Sequence, residues 1–169
     1  MDQNVFDDPR ITAIGLLYEA AAGLSARFAT QLEEHGLSSV EFEVLTRLAR
    51  SPGNQLRMTD LAAQTTLSTS GVTRVVDRME RDGLLCRRAC PSDRRSSYAV
   101  VTSTGLARLD ETLPGHLRII EQWFTGQLEP AALEALLDGL RQVRDAVHPG
   151  ATAGSTDPAP THEPVDTGS

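Results

Sequence analysis

Lysine is absent from this 169-residue chain, and all 16 of its basic residues are arginine. Against 23 acids they leave a net charge of −7, which taken whole argues against a nucleic-acid partner. Long apolar runs are also missing. No stretch approaches the roughly 18 uninterrupted apolar residues of a membrane span, and no charged-then-apolar leader opens the chain, so a cytoplasmic protein is expected. Cysteine is scarce: Cys86 and Cys90 are the only two. Four residues apart on one strand, their Cα atoms would be about 13 Å apart, beyond disulfide reach, so thiols are expected rather than a bridge. The histidines, His35, His116, His148 and His162, have no metal-ligand spacing, and no phosphate loop or nucleophile elbow appears. Neither an enzyme nor a metal or other cofactor is expected. The length suits one functional unit rather than separate catalytic and binding domains.

The distribution of charge reverses the first impression. Residues 56–98 hold eight Arg against five acids, a balance of +3, so the rest of the chain carries −10. Within that basic region, Leu67 to Leu85 reads as a recognition helix over about 69–82. Ser68 caps its start and Gly83 closes its end. Val72, Val75, Val76 and Met79 fall on one face, while Ser70, Thr73, Arg74, Asp77, Arg78 and Arg81 fall on the others. Met58 to Thr65 reads as a shorter helix begun by Thr59, with Thr66 to Ser68 as the turn, which is helix-turn-helix spacing. Two strand-like runs follow, Leu84 to Ala89 and Ser97 to Thr102, joined by a basic tip from Cys90 to Ser96. A hairpin carrying arginines after such a helix makes the winged form of the motif, with the helix suited to a major groove and the wing to a minor groove.

The remaining segments read as a helical frame. Ile14, Leu17, Ala21, Leu24 and Phe28 form a seam along a first helix from Pro9 to Glu34, ended by Gly36, and that seam needs a partner helix. Ser38 and Glu41 form a capping box for a second helix whose Phe42, Leu45, Leu48 and Ala49 face the core, and Ser51 to Asn54 makes a loop. Thr102 caps a long helix with Leu106, Leu109, Leu113, Leu117 and Ile120 inside, which Pro114-Gly115 should kink or interrupt. A last helix begins at Pro130 and carries the stripe Leu133, Leu136, Leu137, Leu140, Val143 and Val147. First and last helices are expected to pair across subunits. From Pro149 the composition is too poor in apolar residues to fold. The expected organisation is a tail over 1–8, a dimerisation helix over 9–35, a winged helix-turn-helix over 36–102, dimerisation helices over 103–148 and a disordered tail over 149–169. The fold class is mainly α with a small β-hairpin wing.

Leu61-Ala62, Leu67-Ser68, Val72-Thr73-Arg74, Val76-Asp77-Arg78-Met79-Glu80, Asp82-Gly83-Leu84-Leu85, Asp93-Arg94-Arg95 and Val101 to Gly105 share the order and spacing of one family. On these residues the chain, over roughly residues 10–147, resembles the MarR family of bacterial transcription regulators. The resemblance implies a homodimeric regulator, a repressor, binding a pseudo-palindromic double-stranded DNA operator. Its two recognition helices would stand about 34–36 Å apart. The expected DNA-contacting residues are Ser68, Thr69, Ser70, Thr73, Arg74 and Arg78 on the helix and Arg94 and Arg95 on the wing. Arg95 matches the Asp-x-Arg residue that enters the minor groove in the family, and Asp93 supports the wing as turn former or arginine partner. Asp77 is expected to pair with Arg74 or Arg81. Of Arg87 and Arg88, at most one should face a phosphate.

His116 falls on the helix that in this family lines an effector pocket; a packed or solvent-facing imidazole is the expectation there, and a pocket for a small-molecule effector, its identity unspecified, is the other reading. Two alternatives stand beside this function. Cys86 and Cys90 could sense oxidants, although the family's peroxide sensors carry the reactive cysteine in the first helix, where this chain has none. The fold could also serve protein contacts without DNA.

Overall fold

The computed structural model describes residues 7–65, 67–90 and 93–152, with the backbone alone over 93–95. Helix α1 (Pro9–Glu34) starts where the Asp8 carboxylate accepts the Arg10 amide at 2.8 Å, with Pro9 in the first turn, where a missing N–H costs nothing. It buries only its last turn, at Gln31 and Leu32. After the turn at Gly36, Ser38 and Glu41 form the expected capping box of α2 (Ser39–Ala49): Glu41 accepts the Ser38 amide at 2.9 Å and its own amide donates to Ser38 Oγ at 3.3 Å. Phe42, Val44, Leu45 and Leu48 of α2 are buried, and Ala49 packs against them.

The chain then forms a 3-10 turn at Pro52–Asn54, strand β1 (Gln55–Arg57), α3 (Met58–Gln64), α4 (Thr69–Arg81), β2 (Leu85–Cys90) and β3 (Asp93–Val101). The strands make one antiparallel sheet with β3 in the middle, Leu56 opposite Ala99 and Leu85 opposite Val101. Long helix α5 (Ser103–Trp123) follows, and α6 (Pro130–Val147) closes the frame. Thr102 caps α5 as expected, accepting the Gly105 amide at 3.1 Å. Its hydroxyl also donates back to the Gly83 and Leu84 carbonyls, tying α5 to the end of α4. Gly105 permits this closeness, since a Cβ there would lie 2.3 Å from the Leu84 carbonyl oxygen. The core joins α2, α3, α4 and the sheet through Leu45, Leu48, Leu61, Val72, Val76, Met79, Leu85 and Ala99.

Six points of the local reading are corrected. Strand β1 has no counterpart in the sequence reading, because three residues carry no period and its ladder lies on the distant β3. Strand β3 begins at Asp93 rather than Ser97, so the stretch from Asp93 to Ser96 read as hairpin tip is strand backbone. Helix α3 begins at Met58 with no side-chain cap, so Thr59 does not start it; the β1 ladder delivers the chain into the helix directly. Helix α5 runs unbroken through Pro114. Pro114 and Asp110, whose carbonyl loses its amide donor, are both exposed, so the loss falls on the wet face while the opposite face packs. Leu117, expected inside, is 57% exposed. The expected tail also starts too early: Pro149–Thr152 form a 3-10 turn with Ala151 buried, and 153–169 lie outside the described residues, as do 1–6.

The frame helices leave much apolar surface uncovered. Ile11, Ile14, Leu16, Leu17 and Tyr18 of α1, Leu117 and Trp123 of α5, and Leu136, Val143 and Val147 of α6 are all exposed, and α6 buries none of its residues.

Candidate nucleic-acid interface

Helix α4 presents two faces because its apolar residues repeat at three and four positions. Val72, Val76 and Met79 are fully buried and Val75 packs beside them. Burying each such side chain stabilises by about 1.5–3 kcal/mol, which holds the helix against α2, α3 and the sheet. Ser68 Oγ accepts the Gly71 amide at 3.2 Å, an N-cap worth about 1 kcal/mol. At the other end Gly83 takes φ +72, a backbone that side chains with a Cβ rarely adopt.

The outward face carries the expected contact residues. Thr69, Ser70, Thr73 and Arg74 are exposed around the first turns of α4. Ser70 Oγ is 3.2 Å from Ser68 Oγ, and the Thr73 hydroxyl donates to the Thr69 carbonyl at 3.0 Å. Arg74 has no ion-pair or hydrogen-bond partner among the described residues, so its five donors are unspent. Arg78 differs: its Nε donates to Glu41 Oε1 at 2.7 Å, which ties it to α2. Burial pushes the Glu41 carboxyl up, but the Ser38 hydroxyl and amide and the Arg78 guanidinium outweigh it and hold the group below the usual glutamate range. A charged Glu41 thus joins the α2 cap to the recognition helix.

The wing is locked to the same helix. Arg87 of β2 reaches Asp77 at 2.6 Å and Glu80 at 2.9 Å, while its amide donates to Glu80 Oε1 at 2.9 Å. Asp77 therefore pairs with Arg87 of β2, not with Arg74 or Arg81 along the helix; Arg81 Nε donates to the Asp77 carbonyl, at 3.3 Å. Arg88, on the other side of β2, is exposed and donates to Gln55. No local spacing announces these pairs, because their partners lie on another element. The side chains of Asp93, Arg94 and Arg95 lie outside the described residues, and their backbone opens β3 at the far end of the hairpin.

Cys86 is exposed and Cys90 is buried, with no disulfide between them. Cys90 Sγ lies 3.9 Å from Tyr98 Oη, to which Arg57 Nε also donates, at 3.4 Å. His116 is buried between two phenylalanines, its ring centre 4.5 Å from that of Phe28 and 4.4 Å from that of Phe42. Its Nδ1 faces Gln31 Oε1 at 3.4 Å, and burial pushes its pKa down, so the neutral ring is favoured. An open groove of about 530 Å³ runs elsewhere, between α1 and α5, lined by Gly23, Ala26, Arg27, Thr30, Ile119 and Trp123. Arg27 stacks 3.7 Å over the Trp123 ring there. Among the described residues no cluster of His, Cys, Asp or Glu is placed to hold a metal, and no helix is long and apolar enough to cross a membrane.

Comparison with known proteins places this geometry. The model of the MarR family matches residues 37–97. The homoprotocatechuate degradative operon repressor of Escherichia coli is 31% identical over 117 residues, 68% of this chain and 77% of that protein. Sco3205, a MarR family transcriptional regulator from Streptomyces coelicolor solved in complex with DNA, superposes with a TM-score of 0.76 at 32% identity, covering 82% of this chain and 87% of that one. BpsR of Bordetella bronchiseptica, whose DNA binding is regulated by 6-hydroxynicotinic acid, superposes with a TM-score of 0.68 at 27% identity over 78% and 91%. The chain belongs to the MarR family of winged helix-turn-helix, DNA-binding transcription regulators.

Proposed function

We propose that this protein is a homodimeric, ligand-responsive repressor that reads a pseudo-palindromic operator in the cytoplasm and catalyses no reaction. Residues 36–102 form the reader, and 9–35 with 103–148 form the frame that joins two copies. The observation that carries the reading is Arg74: an exposed arginine without a partner among the described residues, on the face of α4 opposite Val72, Val76 and Met79. A planar fork with five unspent donors suits guanine or phosphate. Ser68, Thr69, Ser70 and Thr73 crowd the N-terminus of the same helix, where backbone amides and the dipole favour a phosphate. Arg94 and Arg95 serve the minor groove from the wing, and Arg78 anchors α4 on Glu41 while presenting its outer edge to the backbone of the duplex.

The effector is a small organic acid, in keeping with the hydroxynicotinic acid that regulates BpsR. His116 with Phe28 and Phe42 is its proposed site, at the joint between frame and reader. A ligand that binds one arrangement of this joint better than another shifts the population and moves the two recognition helices out of register.

The test is affinity for a duplex footprinted beside the protein's own gene, measured across a salt series on variants shown to be folded dimers. Arg74→Ala and Arg95→Ala should each weaken binding by about 1–3 kcal/mol. Wild-type affinity should fall steeply with salt, as phosphate neutralisation requires. Wild-type affinity in both variants would overturn the assignment.

A further inference from the structure

The last helix ends in an unexpected place. Helix α6 buries nothing of its own length, yet the turn after it, Pro149–Thr152, docks on the reader. Three contacts make the junction. His148 Nε2 lies 2.8 Å from the Ala63 carbonyl oxygen, and since that oxygen can only accept, the imidazole donates. Arg47 of α2 donates to the Ala151 carbonyl at 2.7 Å, and Ala151 is 4% exposed. Gly150 lies so close to α3 that a Cβ there would stand 3.0 Å from the Ala63 carbonyl oxygen and 3.2 Å from Ala63 Cβ.

Helix α3 is one of the elements that position the recognition helix. It is short, it packs on α4 and it leads into the turn before Ser68. Its buried anchors are Leu61 and Gln64. A grip on Ala63 therefore acts one residue from Gln64 and two from Leu61. The other end of the grip is α6, which belongs to the frame.

We propose that His148, Gly150 and Ala151, with Arg47 of α2, form a strap that sets the angle of the reader on the frame, so that these are positioning residues for the spacing of the two recognition helices. The inference rests on the dimeric DNA-reading function proposed above, but its first test does not. No single contact is strong: each hydrogen bond nets about 0.5–1.5 kcal/mol. Two of them with a buried Ala151 add a third attachment between frame and reader, beside the chain connections that lead from α1 into α2 and from β3 into α5.

Two variants remove the strap and spare α6: truncation after Val147, and Gly150→Val, whose side chain meets Ala63. Truncation after Thr152 keeps the strap and is the control. Hydrogen exchange without DNA is read first. Amides of α3 should exchange at least about fivefold faster in both strap variants and as in wild type in the control. Unchanged exchange in both overturns the strap whether or not the protein binds DNA.

The second measurement uses the footprinted operator and versions with one base pair added or removed between the half-sites, which turns one half-site by about a tenth of a helical turn relative to the other. Wild type should discriminate among these spacings, and the strap variants should lose that discrimination at least about fivefold, the low end of coupling between linked sites. Simple loss of stability lowers the active fraction equally for every spacing and leaves the ratio alone. A ratio held at the wild-type value overturns the positioning role, while failure of the wild type to bind any spacing counts against the DNA-reading function and leaves the exchange result to decide the strap.

Discussion

Two titratable side chains sit where chain segments far apart in sequence meet, and both make the protein sensitive to acid. His116 is neutral between Phe28 and Phe42 because burial disfavours the imidazolium. Its folded pKa lies below the ordinary 6.5, so the unfolded chain binds the proton more readily. The stability this contributes is present above pH 6.5 and is lost as pH falls through the folded value. Glu41 follows the same sign in a lower window: its contribution is present above the ordinary 4.5 and is lost as pH falls below it. In His116→Gln, unfolding midpoints in denaturant should therefore decline less between pH 7 and pH 5 than in wild type, whereas the decline below 4.5 persists. Equal slopes in the two proteins over the upper window would contradict the burial argument.

Helix α4 and the wing act as one rigid element because Arg87 clamps Asp77 and Glu80. The charges are partly exposed, so the pairs contribute little to folding, about 0–1 kcal/mol each. Their effect is on geometry: they hold the angle between the recognition helix and the hairpin. Arg87→Met keeps the length of the side chain and removes the clamp. Unfolding free energy should fall by about 1 kcal/mol or less, while operator affinity falls about tenfold, equivalent to about 1.4 kcal/mol. Titration of labelled operator beside denaturant unfolding separates the two, and an affinity that falls no further than stability would reduce Arg87 to a surface charge. The recognition helix was legible in the sequence down to its cap, because Ser68, Gly83 and the valine period are local signals. The clamp was not, since Asp77 has arginines three residues before and four after it and takes neither as its ion-pair partner.

For the whole molecule, the apolar side chains left open on α1, α5 and α6 demand a partner. Ile14, Leu17, Leu136 and Val143 stand at helical spacing on long helices that touch the reader only at their ends. Exposed rows of this kind are rare on monomers and common on obligate interfaces. Deleting residues 130–169 should give a monomer by light scattering, while truncation after Thr152 should leave the dimer intact. A dimer that survives the longer deletion would refute the proposed frame. The seam along α1 was visible as a 3-4-3-4 repeat, but Leu117 was read as core although it faces outward, because periodicity marks an apolar face without saying whether its own chain or another covers it.

What the sequence by itself determined is whatever depends on neighbours a few residues apart: the caps at Ser38, Ser68 and Thr102, the two-faced recognition helix, the hairpin after it and the family motif spread over them. Hydrogen bonds between residues three apart and helical or strand periods are written locally, so their signals can be read before the fold is known. The tertiary structure alone decided β1, the pairs Arg78 with Glu41 and Arg87 with Asp77, the packing of His116 between two rings and the return of residues 148–151 to Ala63. Each of these depends on which distant segments come within a few ångströms, and burial of apolar residues such as Val76, Met79 and Leu45 sets that distance. Charge pairing follows the packing, which is why composition announced an arginine-rich reader but not which arginines remain to meet DNA.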